Sequence, residues 1–369
     1  MKENLILMNT NPAHVSRRDF ITTAVAASAA SSVRVSAASP AQMATTTGGR
    51  IDCQSHLFCP EVVKLMERRK SDPTVFVQNG ERVVKMGDWL RKIPPHYMDV
   101  QAKLEAMDTN GIAMTALSIN DPGPEWFGDE APVVARMLND FVAGIVRSHP
   151  NRFFGLCVLP LENMPEALAE LDRAVNRLGM KGVLLYTNLV GKFPDEPEFR
   201  ALFERVVELD VPILLHPAKP VTTEFVKGYE MTSSLGNMFD NTIALTRIIM
   251  AGILDEHPRL KLVCPHLGGT LPYIIGRLDH QTQVLKRGPK YLTRAPSEYL
   301  KSVWLDVVSP LPLAIRFAHE FMGPDRLLFS SDHPWVNPKD IIRCVHESGI
   351  SVADQEKIFS TNARHLFRV

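Results

Sequence analysis

Three histidines and one aspartate end apolar, strand-like runs in widely separated parts of the chain. They are His56 in Asp52-Cys53-Gln54-Ser55-His56, His216 in Leu214-Leu215-His216-Pro217, His266 in Cys264-Pro265-His266-Leu267-Gly268-Gly269 and Asp332 in Phe329-Ser330-Ser331-Asp332-His333-Pro334-Trp335. Neutral imidazoles with one carboxylate suit a catalytic divalent cation that keeps a position open for water and acidifies it. A lone His-Pro or Asp-His is usually structural; the same placement at separate strand ends is much harder to obtain by chance. Gln54 departs from the pattern, because its neutral carbonyl oxygen is a poor zinc ligand beside imidazole. Three outcomes stay open. The ion is held by His56, His216 and Asp332 with extra water; a harder ion such as manganese is used, with Gln54 as a further oxygen donor; or metal binding has been lost. Gln54 could instead hydrogen-bond a substrate.

Something must bring these groups together. Candidate strands are 50–54, 112–119, 153–159, 182–186, 211–215, 260–264, 303–307 and 326–329. Helical periodicity lies between the later ones. In 165–178 it puts Ala167, Leu168, Leu171, Ala174, Val175 and Leu178 on one face, with Asn163 as N-cap and Gly179 as stop. Segments 198–209 and 242–256 read the same way. Eight near-continuous apolar strands, most followed by a helix, predict an α/β fold, a (β/α)8 TIM-type barrel. An open doubly wound sheet would want a glycine-rich turn after its first strand, and Ser55-His56-Leu57-Phe58 is not one. In the barrel the site residues share the C-terminal mouth. Thr74–Gln78 and Glu81–Lys85 around Asn79-Gly80 predict a β-hairpin with a type I′ turn, within an insertion at about 60–100.

Lys+Arg and Asp+Glu both total 41, so the formal charge is zero and advertises no nucleic-acid or membrane partner. With 369 residues, 45% of them hydrophobic, the chain can bury an ample core. Ser16-Arg17-Arg18-Asp19-Phe20-Ile21, an Ala/Ser-rich run and Val35-Ser36-Ala37 follow the order of a twin-arginine signal. Residues 1–38 are therefore read as a signal peptide, 39–48 as a linker and 49–369 as the barrel. Export to the periplasm is the expectation, with a cytoplasmic location as the alternative. Of the five cysteines, Cys53 and Cys59 are the nearest pair able to form a disulfide; Cys157 and Cys264 read as buried thiols.

The chain resembles the amidohydrolase superfamily, in particular the branch with aminocarboxymuconate-semialdehyde decarboxylase and the γ-resorcylate-type decarboxylases. The resemblance runs over about residues 50–369. It is carried by Ile51-Asp52-x-Gln54-x-His56, Pro212-Ile213-Leu214-Leu215-His216-Pro217, His257-Pro258-Arg259-Leu260-Lys261 leading to Pro265-His266-Leu267-Gly268-Gly269, Gly276-Arg277-Leu278-Asp279 and Arg326-Leu327-Leu328-Phe329-Ser330-Ser331-Asp332-His333-Pro334. It implies one divalent ion, zinc or manganese, on His56, His216 and Asp332, with His266 as acid/base and Asp332 as a second proton donor. The family usually has His-x-His in the first strand, and some decarboxylases Glu-x-His; here Gln54 replaces the first residue. Binuclear relatives carry a lysine ligand at the end of the fourth strand. Here that strand ends in Tyr186-Thr187-Asn188, with Lys181 at the wrong end, which favours a mononuclear site.

The resemblance implies a carboxy-lyase acting on an aromatic or conjugated carboxylate. A hydrolase of an ester, lactone or amide would need the same ligand set, and a metal-free binding protein on the same fold stays open because of Gln54. Tyr186, Asn188, His333 and Trp335 are candidate substrate contacts. Arg277 and Asp279 read as a structural ion pair, and His14, His96, His149, His257, His280, His319, His346 and His365 as structural or solvated. The expected partners are a small-molecule substrate and, by resemblance, a second copy of the chain in a homodimer.

Overall fold

The structure is a computed structural model and describes residues 49–369. The expected signal peptide, 1–38, and the expected linker, 39–48, both lie outside the described residues. Eight parallel strands follow one another in chain order around a barrel: β1 (Arg50–Leu57), β5 (Ile112–Ile119), β6 (Phe153–Cys157), β7 (Gly182–Tyr186), β8 (Ile213–His216), β9 (Leu262–Cys264), β10 (Trp304–Asp306) and β11 (Leu327–Leu328). Hydrogen bonds from Cys53 N to Phe329 O, Asp332 N to Gln54 O and His56 N to His333 O join the last strand to the first. The strands are buried almost throughout, which is why they read as continuous apolar runs rather than alternating ones.

β1 is longer than expected. It runs through His56 instead of stopping at Gln54, so both side chains are held by a strand and not by a loop. The register against β5 slips between Asp52 and Ser55, a bulge that re-aims the side chains around Gln54. The expected helix at 165–178 is Met164–Asn176, with the Asn163 side chain accepting from Glu166 N. The expected helix at 242–256 is corrected: it begins earlier, runs over Asn237–Met250, and breaks before a short helix at Ile253–Glu256. Gly252 between them has φ of 78°, which a helix does not allow.

The predicted hairpin is present as β2 (Thr74–Gln78) and β3 (Glu81–Met86), with both turn residues at positive φ as type I′ demands. A third strand, β4 (Trp89–Lys92), extends it to an antiparallel sheet. All five cysteines are buried free thiols, so Cys53 and Cys59 are not paired. Arg277 is exposed and is not ion-paired with Asp279, which instead accepts from Ser297 N and caps the helix Pro296–Leu300. Among the described residues no helix is long and apolar enough to cross a membrane.

Candidate metal centre

β1 and β8 deliver His56 and His216 edge to face, with ring centroids 4.4 Å apart. Asp332, just past β11, lies between them: its Oδ1 is 3.3 Å from His56 Nε2 and 3.9 Å from His216 Nε2. One ligand atom from each of the three lies within 4.8 Å of the others. His266, just past β9, places Nε2 3.7 Å from Asp332 Oδ2, on the other oxygen of the same carboxylate.

The hydrogen-bond partners separate the histidines by role. His216 Nδ1 is 2.7 Å from Pro217 O, and a carbonyl only accepts, so Nδ1 carries the proton and Nε2 keeps its lone pair. His56 Nδ1 is 2.8 Å from Ser118 Oγ, whose own proton has an outlet to Ser55 O at 3.4 Å. That leaves His56 Nε2 as a lone-pair donor too. Both Nε2 atoms are buried without a hydrogen-bond partner. Two orphaned imidazole nitrogens facing one carboxylate make the donor set a single divalent cation requires, and orienting partners on the far nitrogens are the usual support for such ligands.

His266 is arranged the opposite way. Asn241 Nδ2 donates to Pro265 O at 3.3 Å, which fixes the orientation of the amide, and the same nitrogen lies 3.0 Å from His266 Nδ1. Nδ1 therefore accepts, and the neutral ring carries its proton on Nε2, facing Asp332. His266 is built as a proton donor where His56 and His216 are built as ligands.

The electrostatics agree. Burial, and then the neighbouring His216, pull His56 down to about 4, so it is neutral at physiological pH. Burial also opposes protonation of His266, but the contact with Asp332 and its charge outweigh it and raise the ring. Burial would raise Asp332, yet the three facing histidines hold it well below the ordinary carboxylate range.

Backbone strain marks the same two segments. His266 and Asp332 have φ of 54° and 57°, a region non-glycine residues rarely occupy. Asp306 at the end of β10 accepts from His266 N at 2.7 Å and so holds the first turn. Gly269 completes it, since a Cβ there would collide with Met238 O. On the seam of β1 and β11, buried Asp52 accepts from Ser331 N at 2.9 Å and holds the second.

Gln54 does not present its oxygen to the site residues. Its amide nitrogen donates to Asp332 Oδ1 at 3.0 Å, while Oε1 is buried without a partner. Tyr186 lies beside His216 at the neighbouring strand end, ring centroids 6.1 Å apart, with its hydroxyl unpartnered. Asn188 is committed to the loop: Nδ2 donates to Asp240 at 2.7 Å and Lys219 O at 3.0 Å, and Oδ1 accepts from Gly191 N. Trp335 donates to Asn120 at 2.7 Å and has Arg91 over its ring at 3.8 Å. His333 meets Lys103 Nζ through Nδ1 at 2.9 Å.

Sequence reasoning missed Lys103, Asn241 and Glu125. Lys103 is 1% exposed and also donates to Ser55 Oγ at 2.6 Å, joining β1 to the loop that carries Asp332. Its signal was a lysine four residues before Met107 on the buried face of helix Val100–Thr109. Asn241 gave a similar one, a polar residue four before Leu245 on an apolar face.

An eight-stranded parallel barrel with a His–His–Asp centre and an acid histidine at its C-terminal mouth defines the amidohydrolase class. The family model described as "Amidohydrolase" matches residues 51–369, and the chain belongs to that family. It is 30% identical to γ-resorcylate decarboxylase from a Rhizobium species over 87% of this chain and 98% of that one. The structure of 2,6-dihydroxybenzoate decarboxylase in complex with 2,6-dihydroxybenzoate aligns at a TM-score of 0.74 with 28% identity, over 87% of this chain and 99% of the other. A dihydroxybenzoic acid decarboxylase from Polaromonas with bound manganese aligns at the same TM-score and identity, over 87% and 97%.

Proposed function

We propose that the protein is a metal-dependent, non-oxidative decarboxylase of aromatic carboxylates. The observation that carries this is the split of roles at one carboxylate: His56 and His216 turn lone pairs toward Asp332, and His266 turns a proton toward it. The relatives act on, or are bound to, hydroxylated benzoates, and one holds manganese.

His56, His216 and Asp332 would hold one divalent ion, manganese or zinc, and Gln54 orients Asp332 rather than ligating. When bound, the ion supplies positive charge that binds and aligns the substrate carboxylate. The remaining work falls to the chain. Loss of CO2 from an aromatic ring requires a proton at the carbon that bore the carboxylate; His266 Nε2 is placed to deliver it, and the ionised Asp332 beside it holds that ring in the protonated form. Asn241 keeps that proton on Nε2.

The test combines metal analysis of protein purified without chelator with CO2 release from a panel of hydroxybenzoates. About one equivalent of metal, and release of CO2 with formation of the phenol, are expected. Metal with hydrolytic turnover of esters or amides and no CO2 would replace the lyase by a hydrolase. No metal would leave a binding protein.

Two further parts of the reading rest on other features. Exposed Tyr273, Ile274 and Phe239 suit contact with a second copy of the chain, tested by light scattering. The twin-arginine pattern at Arg17-Arg18 supports export, tested by fractionating cells that express the full chain.

A further inference from the structure

Resting on the decarboxylase reading, we propose that Glu125 and Tyr186 form a specificity subsite that hydrogen-bonds an uncharged hydroxyl substituent on the substrate ring, away from its carboxylate. Glu125 lies in a short turn, Pro124–Trp126, in the loop after β5. It packs on Tyr186 across Gly123, where a Cβ would collide with both the Tyr186 ring and Glu125 Oε2. Tyr186 in turn stands beside His216, so the pair is one side chain removed from the candidate metal centre.

The two residues are 4% and 2% exposed, and Glu125 Oε1 and Tyr186 Oη have no hydrogen-bond partner. Neighbouring Asp121 Oδ2 and Asn120 Nδ2 are buried and unpartnered as well. Native proteins rarely leave such atoms unpaired, and several together at the mouth of a barrel point to a polar ligand group.

The chemistry of that group follows from the donors and acceptors. A hydroxyl donates to a carboxyl oxygen and accepts from a phenol. A second carboxylate on the substrate has no proton to give to Glu125 Oε1 or Asp121 Oδ2 and would lie beside the Asp121 charge. The nearby cation is spent, because Arg91 of β4 pairs with Asp121. Burial pushes Glu125 up to about 8, so at neutral pH it can donate as well as accept, which also suits a hydroxyl.

The experiment is calorimetric binding to manganese-loaded protein in a His266→Asn background, which suppresses turnover. The probes are 2-hydroxybenzoate, its four derivatives with a second hydroxyl at position 3, 4, 5 or 6, and 2-hydroxyisophthalate as the dicarboxylate. At least one dihydroxy isomer is expected to bind tenfold or more tighter than 2-hydroxybenzoate, and the dicarboxylate no tighter. Glu125→Leu and Tyr186→Phe should each erase most of that preference while 2-hydroxybenzoate affinity stays within about threefold. If Glu125→Leu does not fold, Tyr186→Phe carries the test alone. A preference that survives the substitutions, the absence of any preference, or tighter binding of the dicarboxylate overturns the subsite. A preference lost in the variants, with no CO2 released by the parent enzyme from any acid, upholds the subsite and removes only the decarboxylase reading. No binding of any probe overturns both.

Discussion

Gln54 reaches Asp332 with its amide nitrogen at 3.0 Å, so the residue that breaks the expected ligand pattern is hydrogen-bonded to a candidate ligand. A donor on Oδ1 steadies a carboxylate that also faces three histidines. It adds no charge to the site, whereas a Glu at the same place would.

Substituting position 54 therefore has two opposite expected outcomes. Gln54→Leu removes the donor and should weaken metal affinity about 10- to 100-fold, the usual effect of losing a ligand's hydrogen-bond partner. Gln54→Glu sets a second carboxylate against Asp332, which should lower the stability of metal-free protein and tighten metal binding by a similar factor. Chelator competition measures both. Unchanged affinity in both variants would mean that Gln54 does not orient Asp332.

Changing His266 should separate chemistry from metal binding. His266→Asn is expected to lower turnover by about 10²–10⁴, the range for losing a positioned acid, with metal content unchanged. Asn241→Leu should lower kcat about tenfold and leave KM nearly constant, because the ring remains but its tautomer is no longer fixed. Loss of metal in either variant would show His266 to be a ligand instead.

How far the sequence predicted this site can be seen residue by residue. His56, His216, His266 and Asp332 were visible because each interrupts or ends an apolar run, and parallel barrels bury their strands on both faces. Strand ends were less visible: β8 runs over Ile213–His216 instead of the expected 211–215, because proline at 212 has no N–H to give the ladder and offers only its carbonyl, to Val183 N. β4 has four residues, Trp-Leu-Arg-Lys, too few for a period. Glu125 and Asn188 sit in loops, where sequence does not reveal which polar group is buried and which is solvated. The bulge beside Gln54 depends on pairing with β5 and left no local mark.

Several ion pairs tie the insertion to the barrel, Asp88 with Lys219 and Lys227 among them, but the loss of the most buried one should be costly. Arg91 of β4 pairs with Asp121, which is 0% exposed, and lies over Trp335. Arg91→Met leaves a buried carboxylate without its cation, and destabilisation of about 3–5 kcal/mol is expected. Adding Asp121→Asn should recover a substantial part of it. Thermal or urea unfolding of the two variants decides the point; a double mutant no more stable than Arg91→Met would place the loss in packing rather than in charge.

Glu125 predicts a pH dependence of stability. Its ordinary value of 4.5 is raised to about 8 in the fold, first by burial. Between those values the folded state holds a proton that the unfolded state has released, so stability falls as pH rises through the window and the full penalty is present above about 8. Glu125→Gln keeps the shape without the titration. Its stability advantage over the parent should be small at pH 5, grow through pH 7, and level off above pH 8. The plateau is expected at a few kcal/mol, with about 5 as the ceiling set by the size of the shift. Urea unfolding at pH 5, 6, 7 and 8.5 gives the difference directly. A constant difference across that range would mean that the Glu125 carboxyl is ionised throughout, and its buried oxygen would then need a cation or a donor that binds in the mouth.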